Sequence, residues 1–233
     1  DVMDGQFVPN KTFDHTKIKE LRPLTLIPFD AHLMINEPVK HVHDYIDAGS
    51  DIITVHAEVC DESSFGEICD MLNSNQVGIG LAINPDTELP QWCYKFVELL
   101  DQVIIMSVVP GKSGQKFIES THEKTRRVTK DLREHKFEGY VESDGGVNLE
   151  NIGACFEDGA RAFVGGSAII GQNDVRMIIK EFRNQVLESR RRLLIKKAHD
   201  LGGTELVNSW IDLHVVGEKK DKLVQIAKEL GFQ

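Results

Sequence analysis

Asp1, His32 and Asp144 are the residues whose types and placement best fit catalytic chemistry. A carboxylate, an imidazole and a second carboxylate suit a divalent transition metal such as zinc, iron, manganese or cobalt. Each lies where an apolar run meets a turn. Asp1-Val2-Met3 precedes Asp4-Gly5, Ala31-His32-Leu33-Met34 precedes Asn36-Glu37-Pro38, and Tyr140-Val141-Glu142-Ser143 runs into Asp144-Gly145-Gly146. A lone strand histidine is more often structural than ligating; what raises this set is that all three fall at one rim. Two glycine-rich turns, Gly111-Lys112-Ser113-Gly114 and Gly145-Gly146, together with Gly166-Ser167 at a helix start, offer backbone N–H groups to an anion such as phosphate. Taken singly, each also fits an ordinary tight turn between strand and helix.

The elements that must position these groups follow a simple pattern. Short apolar or β-branched runs at 28–34, 51–56, 77–83, 102–106, 140–143 and 162–164 predict strands. Helical stretches lie between them: 15–21, 39–48, an amphipathic one through Phe65, Ile68 and Leu72, 89–99, the charged 123–136, one ending at Gly159, and a long one opened by Gly165-Gly166-Ser167. Strict alternation favours a parallel sheet. With the strand that ends near Asp1 there are seven βα units, one short of a closed (β/α)8 TIM barrel. The expected fold is therefore α/β, a barrel over residues 1–200 whose first strand lies upstream of Asp1. The first residue is Asp, not Met, so a processed or partial chain is expected.

Gly202-Gly203 sets off a helical C-terminal extension, 201–233, in which Leu223, Ile226, Ala227 and Leu230 form an apolar stripe. The stripe packs on the barrel or on a neighbouring subunit, and the second case makes a homo-oligomer. The mixed charges of Glu123 to Lys136, and the run Arg190-Arg191-Arg192 with Lys196-Lys197, read as solvated helix faces.

A net charge of -10 over 233 residues disfavours nucleic acid and anionic membranes as partners, and no apolar run is long enough to span a bilayer. Cys60, Cys69, Cys93 and Cys155 contain no C-x-x-C pair, which points to a soluble, cytoplasmic protein without a disulfide framework. Gly111-Lys112-Ser113 imitates the end of a nucleotide P-loop, but Met106 stands where that motif wants glycine. Gly78-Ile79-Gly80 lacks the third glycine of a dinucleotide fingerprint at Ile83.

Several motifs in register carry a more specific signal. Asp1-Val2-Met3-Asp4-Gly5 with Phe7-Val8-Pro9-Asn10, His32-Leu33-Met34, Met106-Ser107-Val108 with Pro110-Gly111 and Gly114-Gln115-Lys116-Phe117, Asp144-Gly145-Gly146, and Gly166-Ser167-Ala168-Ile169 together resemble the ribulose-phosphate 3-epimerase family. The resemblance runs from Asp1 to about Ile170. It implies a barrel of the ribulose-phosphate-binding type that interconverts D-ribulose 5-phosphate and D-xylulose 5-phosphate. It implies one divalent metal on Asp1, His32 and Asp144, with a further histidine two residues before Asp1. Asp1 and Asp144 would be the two acid/base groups, and His32, Gly111, Lys112, Ser113, Gly114, Gly145, Gly146, Gly166 and Ser167 the contacts to a sugar phosphate. Met3, Met34 and Met106 would lie over the reacting carbons or simply fill core. The chain departs from the family pattern at Val109 and at Lys112-Ser113, where a polar residue and an aromatic-glycine pair are common.

Two other outcomes are open at this stage. One is an epimerase on the same barrel acting on a six-carbon ketose phosphate such as allulose 6-phosphate. The other is a non-catalytic phosphate-binding protein or inactive fragment, because a missing strand would leave sheet edges unpaired and the metal a ligand short. Related barrels that decarboxylate or condense use an Asp-x-Lys-x-x-Asp motif, which this chain lacks.

Overall fold

A computed structural model describes residues 1–200. The expected extension over 201–233 lies outside the described residues. The strands are β1 (Val2–Met3), β2 (Asp30–Met34), β3 (Ile52–His56), β4 (Gly78–Ile83), β5 (Gln102–Met106), β6 (Tyr140–Asp144) and β7 (Ala162–Val164). The α-helices are α1 (His15–Leu21), α2 (Val42–Asp47), α3 (Glu62–Ser74), α4 (Thr121–Glu134), α5 (Ile152–Asp158) and α6 (Val175–Asp200). All seven strands are parallel and pair in chain order, so the sheet curls as a (β/α)8-type barrel does. Among the described residues no eighth strand joins β1 to β7.

Register carries the site residues to one rim. Val2 pairs with Leu33 and Met3 with Met34, so Asp1 stands level with His32; Met106 pairs with Asp144, and Asp144 with Val164. Between sheet and helices lies the main core, where Leu33, Ile53, Val55, Leu81, Val103 and Ile105 meet Phe65, Ile68 and Leu72 of α3, all fully buried. A side chain of this size contributes roughly 1.5–3 kcal/mol when fully buried. α3 starts where its sequence says it should: Asp61 accepts from Ser64 N at 2.8 Å and Ser64 Oγ accepts from Asp61 N at 2.9 Å, a closed capping box.

Four sequence expectations need correction. The stretch 89–99 forms two 3₁₀ turns, Gln91–Lys95 and Val97–Leu99, rather than an α-helix. The tighter helix rises more per residue, about 2.0 Å against 1.5 Å, so few residues span the barrel wall while Leu89, Cys93, Val97 and Leu100 still reach the core. Residues 39–48 likewise divide into a 3₁₀ turn, Pro38–Lys40, and α2, after Glu37 takes a left-handed conformation. The helix expected from Gly165 is a short π turn, Gly166–Ile170, and α6 begins afresh after Asp174, whose carboxylate caps Met177 N at 2.9 Å. Finally, the charged run on α4 is only partly a solvated face. Lys124 is buried and donates to the carbonyls of Asn84, Pro85 and Thr87, Arg126 pairs with Asp158, and Arg127 with Glu88.

Candidate active site and metal centre

The loop after β1 is organised by one carboxylate. Asp4 accepts from Gln6 N at 2.7 Å, Phe7 N at 2.9 Å and Asn36 N at 2.8 Å. Burial pushes its carboxyl up, but these backbone donors outweigh that and hold it below the usual carboxylate range. The chain then returns, with Thr12 N donating to Met3 O at 3.1 Å and Thr12 Oγ to Asp1 O at 2.8 Å. Asp1 is thereby fixed at the barrel rim although its side chain is half exposed.

His32 and Asp144 are nearly closed off from solvent, at 5% and 6% exposure. His32 Nδ1 stands 3.5 Å from Asp1 Oδ1 and 3.4 Å from Asp144 Oδ2, and one ligand atom from each of the three residues lies within 4.8 Å of the others. Those nitrogen–oxygen distances exceed a normal hydrogen bond. They match the roughly 3.3–3.6 Å between two tetrahedral ligands whose bonds to zinc are about 2.0–2.2 Å. An imidazole and two carboxylates at this spacing therefore fit a small divalent cation, and two further carboxyl groups, Asp30 and Glu142, lie close enough to interact with them electrostatically. Burial, with Asp30 and Asp144 close by, raises the Glu142 carboxyl to about 8.

Beside this cluster is a cleft of about 360 Å³, within the range of small-molecule sites. Asp1 and Asp144 line it, and Gly111, Lys112, Ser113 and Gly114 form a continuous stretch of its wall. Gly145, Gly146, Gly166 and Ser167 also line it, as do Met3, Met34 and Met106. Every expected contact is thus brought to one cavity except His32, which is buried behind it. The wall is stapled by Gln115 Nε2, donating to Val109 O at 2.6 Å and Lys112 O at 2.9 Å, and by Asn10 Nδ2, donating to Gly111 O at 2.5 Å. Gly145 and Gly146 have positive φ, and a Cβ on Gly145 would meet Val108 Cγ2 at 2.4 Å.

Three positions in this network carried no role in the sequence reading. Ser107 Oγ lies 2.9 Å from Asp144 O and 2.7 Å from Gly145 O, which share its one hydroxyl proton, and Ser107 N donates to Asp144 O at 2.6 Å, so this residue locks the backbone that presents Asp144. His56 Nε2 lies 2.8 Å from His32 Nε2, and His56 Nδ1 lies 3.1 Å from Glu58 Oε2. Burial drives His56 below its ordinary value against the pull of Glu58. Burial also raises Glu58, yet hydrogen bonds from His56, Thr87 and Asn84 N prevail and hold it at about 2. The signal was present as His56-x-Glu58 at the end of a strand, but on sequence alone it cannot be told from a core histidine beside a surface acid.

The model of the ribulose-phosphate 3 epimerase family matches residues 1–170. The chain belongs to that family. It is 41% identical over 180 residues to the chloroplastic ribulose-5-phosphate-3-epimerase of Arabidopsis thaliana, covering 77% of this chain and 64% of that protein. It is 40% identical to the ribulose-phosphate 3-epimerase of Bacillus subtilis, covering 78% of this chain and 83% of that one, and 38% identical to the Escherichia coli K12 protein of the same name, covering 80% and 82%. The chain thus spans just under two thirds of the plant relative. Among solved structures it is similar to the 3-keto-L-gulonate-6-phosphate decarboxylase of Vibrio cholerae, with TM-score 0.56, 14% identity, and 75% and 79% of the two chains covered. The 3-hexulose-6-phosphate synthase of Salmonella typhimurium gives TM-score 0.54, 18% identity, and 74% and 78% covered. At those identities the two structures bear on the fold alone. No helix among the described residues is long and apolar enough to cross a membrane.

Proposed function

We propose that the protein epimerises C3 of a ketose phosphate, interconverting D-ribulose 5-phosphate and D-xylulose 5-phosphate. The observation that carries this reading is the convergence of Asp1, His32 and Asp144 at the open end of the barrel, beside a cleft walled by glycine-rich loops. The names of the relatives support it. The medium is proposed to be cytoplasmic, in keeping with four free thiols.

Inverting C3 requires removal of a proton next to the C2 carbonyl from one face of the sugar and delivery of a proton to the other. One base cannot reach both faces, so two acid/base groups are needed. Asp1 and Asp144 take those roles, one ionised and the other protonated at the start of each turnover. Asp1, His32 and Asp144 would hold the divalent ion, which when bound supplies positive charge against the developing enediolate. Ser107 keeps Asp144 aimed into the cleft, and the methionines at the strand ends give the reacting carbons an apolar wall. The phosphate would be held by Lys112 and by backbone N–H groups of Gly145, Gly146, Gly166 and Ser167, all of which line the cavity.

The test is a coupled epimerase assay on both five- and six-carbon ketose phosphates, before and after chelation and with zinc, iron, manganese or cobalt restored. The assay should be run on the chain and on a form extended at its amino end, where the family pattern has another histidine. Metal-dependent turnover favouring ribulose 5-phosphate is expected; clear preference for allulose 6-phosphate, or activity indifferent to chelation, would overturn the reading.

A further inference from the structure

Behind the metal centre, three side chains on adjacent parts of the barrel form a line: His32 on β2, His56 at the end of β3, and Glu58 just beyond it. The two imidazole rings are inclined by only 13° with centroids 5.0 Å apart, while their Nε2 atoms are 2.8 Å apart. A centroid separation close to one hydrogen bond plus two ring radii means that the rings lie end to end, nearly coplanar. That is the geometry of a straight N–H···N hydrogen bond and not of face-on stacking. One Nε2 must donate and the other accept.

The far end of the line decides which. An ionised carboxylate only accepts, so Glu58 Oε2 takes the proton on His56 Nδ1. Neutral His56 then has a bare Nε2, which accepts from His32 Nε2–H. Neutral His32 is left with a bare Nδ1, the atom that faces Asp1 and Asp144. Glu58 is itself fixed: its Oε1 accepts from Asn84 N at 2.7 Å, and the Asn84–Thr87 loop is held by the buried Lys124. Phe7 packs on the His56 ring with centroids 4.7 Å apart, and both imidazoles are buried.

We infer that Glu58 and His56 are positioning residues: they fix His32 as the Nε2–H tautomer and so leave its Nδ1 lone pair free for a divalent cation. The inference rests on the metal centre proposed above, and extends it to two residues that touch neither metal nor substrate. Partners of this kind typically change metal affinity by about 10–100-fold when altered.

Two-bond proton–nitrogen correlation spectra of the metal-free protein report which ring nitrogen of His32 is protonated. The wild type is expected to show Nε2–H. In Glu58→Gln the side-chain amide can donate to His56 Nδ1 and reverse the line, so His32 should shift toward Nδ1–H. Zinc affinity, measured by competition with a chromogenic chelator, should fall about 10–100-fold. Nδ1–H in wild type that nonetheless binds zinc would overturn this inference alone, as would an unshifted tautomer and unchanged affinity in Glu58→Gln. Failure of the wild type to bind zinc would overturn the metal centre itself. The wild-type spectrum is decisive even if the variant does not fold.

Discussion

Asp144 meets two demands at once: it must present a carboxylate to the cleft and keep it in one orientation while nearly buried. Asp144→Asn keeps the shape but removes the acid/base function and a metal ligand. kcat should fall by at least roughly 10²–10⁴, with added metal failing to restore it. Ser107→Ala should act through the same residue by leaving the carbonyls of Asp144 and Gly145 without the hydroxyl donor. A loss of about 1–3 kcal/mol in urea unfolding is expected, together with a lower kcat. At this scale the sequence was legible where chemistry dictates residue type. Asp144 ends β6 and Asp1 directly precedes β1, where polar groups with a task are expected, whereas His32 stands in the middle of β2 rather than at the strand end that its sequence suggests. Ser107, His56 and Glu58 were not legible in role, because a hydroxyl or imidazole after an apolar run looks the same whether it serves a neighbour's backbone or merely fills space. Only the register of β5 against β6, and of β2 against β3, reveals their partners.

The turn after β6 is the element on which the cleft depends most. Gly146 has φ +65°, and a Cβ there would stand 2.5 Å from Phe117 N, a backbone atom that cannot move without shifting the opposite wall. Gly146→Ala is expected to cost roughly 1–3 kcal/mol of stability through backbone strain and to raise KM, seen as a lower Tm and a weaker dependence of rate on substrate. If KM and Tm are unchanged, the turn does not shape the cleft. The elements themselves were mostly evident in advance, because β-branched runs and the Phe65, Ile68, Leu72 spacing encode their own periods. The exceptions arose where tertiary packing overrode a helical period, as in the 3₁₀ turns around Cys93 and the π turn at Gly166.

For the whole molecule, the acids gathered inside the barrel oppose stability as they ionise. Glu142 has a native value near 8 against an ordinary 4.5, so the folded chain binds more protons than the unfolded one between those limits. Stability should therefore fall as pH rises from about 4.5 to about 8, by an amount on the order of a few kcal/mol. Glu142→Gln should flatten that slope in urea titrations of the metal-free protein; an unchanged slope would remove Glu142 as its source. The parallel seven-strand order followed directly from the alternation of strands and helices, whereas the closeness of the interior acids depends on barrel curvature, which no local pattern records. Proton exchange at C3 tests the whole assembly most directly. With the purified, metal-supplied protein and D-ribulose 5-phosphate in D₂O, nuclear magnetic resonance should show D-xylulose 5-phosphate accumulating with deuterium at C3. The absence of both the epimer and deuterium at C3, or an epimer formed without deuterium at C3, would contradict a two-carboxylate epimerase.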